Sequence, residues 1–342
     1  MKFLMTHHGR SETRRKNFAV KRLVFSKCGK AEEVLGIEVL EPKKPALGEV
    51  LVRIEAAPIN PADLNLIEGT YGVKAELPAV PGIEGCGVVL SGGSGRFKVG
   101  QRVMFLRRAS TWASHAMVPE DILFALPDSI DMRQAAMLKV NPATAWRLLH
   151  DFVALKPGDW VVQNAGNSAV GRCVIQLARE LGVRTVSLVR RAELADELRG
   201  LGGDVVLTDD DTSLAEALAH LGGTNARVAF NAVGGESALR LMKMLEEGGT
   251  HITYGAMARK PLTLPNGLMI FRDLRLRGFW LTKWLEQASG EEVESTYQKL
   301  AELVCTNRLV QKVDSVYPLE DWAAALKRLK DTDRSGKVLL VP

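Results

Sequence analysis

A turn containing two glycines lies at residues 163–171, which read Gln-Asn-Ala-Gly-Asn-Ser-Ala-Val-Gly. It follows the apolar run of residues 160–162 and precedes a helical pattern over residues 172–181. Gly166 and Gly171 would let the backbone approach a ligand, and the N–H groups that begin a helix bind anions. A dinucleotide pyrophosphate is the anion that this layout favours. The first glycine of the usual fingerprint is missing, so an ordinary strand–turn–helix is the alternative.

Two arginines, Arg190 and Arg191, follow the next predicted strand, residues 185–189. Enzymes that use NAD usually place an Asp or Glu here, which accepts hydrogen bonds from the ribose. In this sequence no carboxylate occurs before Glu193. Because a guanidinium matches a pair of phosphate oxygens, the arginines favour the 2′-phosphate of NADPH. The alternative is a solvated basic turn.

The composition bounds the class of protein. A length of 342 residues suggests two domains or one large one, and the 46% hydrophobic and 25% charged fractions are typical of globular proteins. No apolar run reaches the roughly 18–20 residues that span a bilayer, so no membrane span is expected. The cysteines include no CxxC pair, which argues against a disulfide scaffold or a cysteine zinc site; they are Cys28, Cys86, Cys173 and Cys305.

The net charge of +5 arises at the N-terminus, because residues 1–30 hold nine Lys and Arg and one acid, Glu12. The rest of the chain is slightly acidic, which argues against a nucleic-acid-binding surface. Residues 1–16 are basic and contain hydroxyl residues, so we predict a mitochondrial transit peptide and a location in the matrix. A disordered basic tail is the alternative.

The elements that position these residues fall into two groups. Up to about residue 140, short strands separated by glycines predict a barrel-like β domain; the strands are 19–25, 35–40, 49–57, 88–91 and 102–105. From residue 141 onward, strands and helices alternate, which predicts a doubly wound parallel sheet. Its strands are 160–163, 185–189, 205–207, 228–231, 250–254 and 275–279, and its helices are 142–152, 171–181, 193–201, 212–221, 237–245 and 268–273. Helices 291–305 and 319–330 follow, and a last strand, 336–341, is expected to return to the β domain.

Four segments carry a family resemblance: residues 59–65 with 69–72, residues 77–85, residues 140–149 and residues 163–171. In order and spacing they resemble the zinc-free branch of the medium-chain dehydrogenase/reductase superfamily, and within it the mitochondrial trans-2-enoyl-thioester reductases. Zinc-dependent members have a Cys near residues 60–62 and a His directly before the residue that matches Glu84; this chain has neither. It also lacks the four-cysteine zinc lobe, so no metal is expected. Gly166 and Ala169 stand where the family often has Ser and Gly.

The resemblance implies an α/β fold with a GroES-like β-rich catalytic domain and a Rossmann doubly wound parallel-sheet cofactor domain. We predict that residues 17–140 and 284–342 form the catalytic domain and that residues 141–283 form the dinucleotide-binding domain. A homodimer, joined through the edges of the dinucleotide sheets, is expected from the superfamily.

The resemblance also implies a reaction. It is the NADPH-dependent reduction of trans-2-enoyl thioesters, carried by acyl carrier protein or coenzyme A, to acyl thioesters as the last step of mitochondrial fatty acid synthesis. Tyr71 matches the proton donor, and Thr144 lies near the substrate. The residues carried over to NADPH are Asn141, Asn167, Ser168, Ala169, Val170, Arg190, Arg191, Tyr254, Gly255, Ala256, Met257, Phe279, Trp280, Leu281 and Lys337.

Simpler interpretations stand beside these assignments. Tyr71 could only fill a turn, Asn141 could cap the helix that begins at Pro142, and Lys337 could be a solvated strand-end lysine. Residues 279–281 could belong to the core or to a dimer interface. An NADPH quinone reductase of the same superfamily, or a non-catalytic NADPH-binding sensor, are the rival functions.

Overall fold

The computed structural model describes residues 19–342. The predicted transit peptide, residues 1–16, lies outside the described residues. Within residues 19–342, no helix combines the length and the apolar character that crossing a membrane requires.

The first part of the chain is rich in β-structure. Its strands are β1 (Val20–Val24), β2 (Gly36–Leu40), β3 (Glu49–Pro58), β4 (Cys86–Gly92), β5 (Arg102–Phe105), β6 (His115–Pro119) and β7 (Leu123–Ala125). Its helices are short: α1 (Ala31–Val34), α2 (Pro61–Glu68) and α3 (Met132–Ala136).

Helices and strands alternate in the second part. The helices are α4 (Asn141–His150), α5 (Ala169–Glu180), α6 (Ala195–Gly200), α7 (Asp211–Leu221), α8 (Gly235–Lys243), α9 (Asn266–Arg272), α10 (Leu281–Gln287), α11 (Gly290–Cys305) and α12 (Trp322–Arg328). The strands are β8 (Trp160–Gln163), β9 (Arg184–Val189), β10 (Val205–Thr208), β11 (Ala226–Asn231), β12 (Leu245–Thr253), β13 (Arg275–Gly278), β14 (Val313–Pro318) and β15 (Lys337–Val341). Single 3₁₀ turns occur at Glu120–Ile122, Ala192–Leu194 and Leu319–Asp321.

Six of these strands form an all-parallel sheet in the order β10-β9-β8-β11-β12-β13. The chain leaves β8 toward one edge and returns at β11 to build toward the other. This confirms the predicted doubly wound sheet. In such a sheet, ligands bind beyond the carboxyl ends of the strands at the point where the order reverses, here between β8 and β11.

The other large sheet has the order β14-β15-β3-β4-β5-β7, with β6 also paired to β3. The terminal strand β15 runs antiparallel to β3, with Leu339 opposite Pro58. The last strand therefore returns to the β-rich part, as predicted. β1 and β2 form a separate antiparallel pair. This is the β-rich part that the glycine-separated strands predict.

The structure corrects two local predictions. Residues 61–68 form helix α2 where strands and turns are expected; Pro61 stands in its first turn, where a missing N–H does no harm, and the helix buries Leu66 and Ile67. β12 begins at Leu245, five residues before the predicted start. Its first half is irregular, with a register shift opposite β11 and Gly248 at φ 71°.

Helix α11 belongs to a core that spans the predicted domain limit at residue 284. Val293, Tyr297 and Leu300 of α11 pack in the same buried cluster as Leu148 of α4 and Val174 of α5. Because the elements on both sides of residue 284 share this core, the structure marks no boundary there. The two-domain division stays a prediction.

His251 gives the stability of this fold a pH dependence. It lies within β12, fully buried, and neither ring nitrogen has a hydrogen-bond partner among residues 19–342. Burial lowers its pKa to about 4, whereas an unfolded chain takes up the proton near pH 6.5. The unfolded state therefore binds more protons between these values, and stability is lost as the pH falls from about 6.5 to about 4.

We expect His251→Leu to remove this part of the acid sensitivity. Relative to pH 7, the wild type should lose about 2–3 kcal/mol more unfolding free energy at pH 4.5 than the variant does. Urea unfolding at both pH values measures the difference. Equal losses in the two proteins would contradict the assignment.

Candidate active site

Tyr71 is held at the carboxyl end of α2. Gly69 ends the helix in the left-handed region, with φ 78°, which glycine adopts without strain. The N–H groups of Thr70 and Tyr71 both donate to Asn65 O, at 2.8 and 3.1 Å. The Tyr71 backbone is thus tied to the helix, and its partly buried side chain projects from a fixed point.

The Tyr71 hydroxyl meets Trp280, a residue 209 positions away. Trp280 Nε1 donates to Tyr71 Oη at 3.1 Å, and the rings pack edge to face with centroids 6.1 Å apart. Because the phenol oxygen accepts this hydrogen bond, its own proton is left to point at a different acceptor. Two predicted site residues, one in the loop after α2 and one directly after β13, are therefore brought together.

The neighbours of Trp280 face elsewhere. Phe279 packs edge to face against Phe152, with centroids 6.0 Å apart, and Leu281 is buried at the start of α10. Of the segment 279–281, the structure places Trp280 beside Tyr71 and turns the other two side chains toward the core. Contact between these two residues and a cofactor stays a prediction.

The turn at residues 163–171 closes tightly on the start of α5. Ser168 caps the helix by accepting from Gly171 N at 3.1 Å. A Cβ on Gly166 would lie 2.8 Å from Ser187 Cβ, and one on Gly171 would lie 2.6 Å from Gly166 O. Glycine is therefore required at both positions. Residues 167–170 occupy the cap and first turn of α5, where N–H groups and the helix dipole attract an anion.

Asn164, which the sequence analysis does not single out, anchors this turn to β11. Its Nδ2 donates to Asn231 Oδ1 and Ser237 Oγ, both at 2.8 Å, and its Oδ1 accepts from Ala232 N at 2.8 Å. The amide is fully hydrogen-bonded and fully buried. The sequence signal was its position directly after β8, but its partners lie more than 60 residues away.

The segment 254–257 lies beside the same edge of the sheet. Tyr254 N donates to Asn231 O at 3.0 Å, and Met257 N donates to Ala232 O at 2.9 Å. A Cβ on Gly255 would lie 3.0 Å from Ala232 O. Burial raises the pKa of Tyr254, and an interaction with Ser168 opposes that rise. Ala256 and Met257 are exposed. The segment therefore forms a wall next to the dinucleotide turn.

The two arginines after β9 differ in their surroundings. Arg190 is exposed. Arg191 Nη1 donates to Thr332 O at 2.6 Å, which directs its guanidinium toward the segment before β15. Both remain candidates for binding a phosphate, and Arg190 is the more exposed of the two.

The first turn of α4 holds a buried donor without a partner. Asn141 and Thr144 are each 6% exposed, and Asn141 Nδ2 makes no hydrogen bond within the described residues. An unpaired buried amide is destabilising by about 1–3 kcal/mol, so such a group usually serves a ligand. The helix-cap alternative for Asn141 does not hold, because the structure makes it the first residue of α4 and Val140 the N-cap.

Lys337 lies in a buried cluster of charged and polar groups rather than in solvent. Its Nζ donates to Ile59 O at 3.3 Å and to Asn60 Oδ1. Asp63, Glu84 and Lys139 complete the cluster, and each is at most 4% exposed. Burial raises the pKa of Asp63 to about 6 and lowers that of Lys139 to about 8. Apart from Lys337, the cluster was not predicted from the sequence, because its members come from four separate segments of the chain.

Comparison with known proteins identifies the family. Residues 46–128 match the family model "Alcohol dehydrogenase GroES-like domain", and residues 169–304 match the model "Zinc-binding dehydrogenase". The chain is 37% identical to the mitochondrial enoyl-acyl-carrier-protein reductase of Xenopus tropicalis, over 95% of this chain and 96% of that protein. This chain belongs to the mitochondrial enoyl-acyl-carrier-protein reductase family.

Solved structures of the enoyl reductase family share the fold. The complex of Etr1p with NADP and crotonyl-CoA superposes with a TM-score of 0.87 at 26% identity, covering 95% of this chain and 100% of that one. The Etr1p/Etr2p heterodimer of Candida tropicalis, a mitochondrial 2-enoyl thioester reductase, gives a TM-score of 0.87 at 27% identity and the same coverage.

The model that matches residues 169–304 is named for zinc binding. This chain nevertheless lacks the Cys and the His that zinc-dependent members of the superfamily use as ligands. Residues 60–62 contain no Cys, and Ile83, not His, precedes Glu84; these are the places where the family resemblance implies the two ligands of zinc-dependent members. Within residues 19–342, no group of three or more His, Cys, Asp or Glu side chains could hold a metal ion. The zinc-free assignment stays a prediction, and elemental analysis of the purified protein would test it.

Proposed function

We propose that this chain reduces the double bond of trans-2-enoyl thioesters with NADPH, as the last step of fatty acid synthesis in mitochondria. The observation that carries the proposal is the hydrogen bond from Trp280 to Tyr71 in a member of the enoyl reductase family. This hydrogen bond supports the proposal because it would hold the Tyr71 phenol in place as a proton donor. The thioester is carried by acyl carrier protein or by coenzyme A.

The residues of the site fit NADPH. The start of α5 and the turn of residues 166–170 would hold the pyrophosphate, and Arg190 with Arg191 would pair with the 2′-phosphate. The unpartnered Asn141 Nδ2 would find its acceptor on the nicotinamide side. When bound, NADPH supplies the hydride.

The side chains of the site would then stabilise the negative charge that develops on the substrate and supply the proton. Reduction at the β-carbon leaves negative charge on the thioester oxygen, which hydrogen-bond donors must stabilise. Thr144, a buried residue in the first turn of α4, would provide such a donor. Tyr71 donates its hydroxyl proton to the α-carbon, a neutral phenol being the form that can do so.

The assay that tests the function is NADPH oxidation with crotonyl-CoA, a longer 2-enoyl-CoA and a quinone. We expect turnover with the enoyl thioesters, saturation of their double bond in the product, and little turnover with the quinone. A quinone preference would favour the rival reductase of the same superfamily. NADPH binding without turnover of any substrate would favour the non-catalytic sensor.

We propose a location in the mitochondrial matrix. The support is the basic, acid-poor composition of residues 1–16 and the mitochondrial relatives. Import of a reporter fused to residues 1–30, followed by fractionation of the mitochondria, tests the matrix assignment. A reporter that stays outside, or that stops between the membranes, contradicts it.

We propose that the chain forms a homodimer through β13, the last strand on one side of the parallel sheet. Side chains around this edge are apolar and exposed; they are Met269, Ile270, Phe271 and Leu276. An uncovered strand edge flanked by apolar groups is typical of an interface. Etr1p, which shares the fold, pairs with Etr2p.

Phe271→Asp should therefore shift the protein from dimer to monomer by placing a carboxylate where an 80% exposed ring would be covered. Light scattering after gel filtration measures the mass. Val39→Asp, at an exposed apolar position on the β1–β2 pair, is the control and should stay dimeric. A wild type that is monomeric at micromolar concentration would rule out the proposal.

A further inference from the structure

The carboxylate of Glu84 joins two helices from separate parts of the chain. Glu84 is fully buried two residues before β4. One carboxylate oxygen accepts from Asn60 Nδ2 and the other from Val140 N, both at 2.8 Å. Asn60 is the N-cap of α2 and Val140 is the N-cap of α4. One side chain thus holds the starts of both helices.

These two helices carry the reacting groups of the proposed function. α2 ends in the Gly69–Tyr71 loop, whose backbone is tied to Asn65 of the helix. The first turn of α4 carries Asn141 and Thr144. Because α2 is eight residues long, a shift of its start is carried to Tyr71.

We propose that Glu84 is a positioning residue that sets Tyr71 relative to the first turn of α4, an inference that rests on the proposed reduction of enoyl thioesters. The role requires a carboxylate. Its two oxygens each accept one hydrogen bond, whereas a Gln amide offers one oxygen and an NH₂ group that would face a second donor. The isosteric change Glu84→Gln therefore breaks one of the two joins without altering volume.

Positive and polar groups surround this buried carboxylate. Burial raises the pKa of Glu84, and Lys337, Asn60 and the Val140 N–H oppose that rise. Lys139 lies on the same cluster and donates to Ile83 O at 2.7 Å. Two lysines thus balance two carboxylates, which is how buried charges are tolerated.

Further hydrogen bonds join α2 to the residues directly before Glu84. Asp63 Oδ1 accepts from Gly82 N at 3.2 Å and from Ile83 N at 2.8 Å. Residues 59–63 and 81–85 are the segments in which zinc-dependent members of the superfamily place the two ligands discussed above. In this chain, hydrogen bonds among Asn60, Asp63 and Glu84 connect them.

The test is the kinetics of Glu84→Gln with crotonyl-CoA. We expect kcat to fall by about 10- to 100-fold, as for a misplaced reacting group, while the Kd for NADPH stays within about threefold because the α5 turn and the arginines are untouched. In the Tyr71→Phe background, Glu84→Gln should add little further loss, since its effect acts through Tyr71. If Glu84 were merely structural, the fold-losses in kcat from Glu84→Gln and from Tyr71→Phe would multiply in the double variant.

The control is Asp159→Asn. Asp159 also accepts from a main-chain N–H, that of Lys156 at 2.8 Å, and from Arg227 at 3.1 Å, but it lies at the amino end of β8, away from the site. This variant should change stability and leave kcat unaltered. If Glu84→Gln does not fold, Asn60→Ala removes the α2 join together with the Asn60–Lys337 hydrogen bond and leaves the Val140 join in place. It should show the same loss of kcat and the same lack of additivity.

Amide hydrogen exchange supplies a readout that needs no substrate. In protein without NADPH, Glu84→Gln should speed exchange at residues 140–144 relative to the Asp159→Asn control. If the wild type does not reduce enoyl thioesters but Glu84→Gln still speeds exchange at residues 140–144, the proposed function is contradicted and the structural link through Glu84 is not. Unchanged exchange, a kcat within twofold of wild type, or losses that multiply with Tyr71→Phe would overturn the positioning role.

Discussion

Tyr71→Phe is expected to lower the turnover of an enoyl thioester by about 10²–10⁴-fold, the range that general acid help supplies. The change removes only the hydroxyl, so the edge-to-face packing on Trp280 should survive. The indole N–H loses its acceptor, but Trp280 is 40% exposed and can donate to water instead. Stability and NADPH affinity should therefore stay close to those of the wild type, and the loss should fall on kcat.

Stopped-flow and steady-state NADPH oxidation with crotonyl-CoA measure this loss. Tyr317→Phe is the matched control, because Tyr317 packs on the same apolar cluster as Tyr71 but lies on β14, away from Trp280. The control should keep wild-type kcat. Near-native turnover of Tyr71→Phe, under conditions where chemistry limits the rate, would remove Tyr71 as the donor and leave Thr144 or a water molecule as the next candidate.

The double variant Arg190→Ala with Arg191→Ala should weaken NADPH binding by about 1.5–3 kcal/mol for each charged hydrogen bond that is lost. NADH has no 2′-phosphate, so its affinity should change little. Because Arg191 also donates to Thr332 O, we expect Arg190→Ala alone to account for the larger part of the effect. The ratio of the NADH Kd to the NADPH Kd should therefore fall.

Fluorescence titration of both cofactors measures the two affinities. Arg184→Ala serves as the control, since Arg184 lies at the opposite end of β9, where it stacks over Trp160 with its guanidinium carbon 4.1 Å from the ring centroid. It should leave both affinities unchanged. Equal losses for NADPH and NADH in the double variant, or a wild type that prefers NADH, would refute a 2′-phosphate site at these arginines.

The local features of this chain were readable from sequence because they depend on neighbours along the chain. Alternating apolar strands and amphipathic helices after residue 141 predicted the parallel sheet, and the structure contains it with the strand order of a doubly wound fold. The dinucleotide turn was predicted from glycines eight or fewer residues from the strand. α2 was missed, because eight residues with a proline at the start show too little periodicity to separate a helix from a turn.

The sequence by itself determined the two kinds of sheet, the family, and the types of side chain on which the proposed chemistry depends. Only the tertiary structure decided which of those side chains meet: Tyr71 finds Trp280 across 209 positions, and Glu84 joins Asn60 to Val140. Such contacts depend on how the two sheets pack together and on how buried polar groups find partners. The spacing of residues along the chain specifies neither the packing of the sheets nor the pairing of buried polar groups. The sequence therefore predicted the residues of the site, and the tertiary structure determined which of them are in contact.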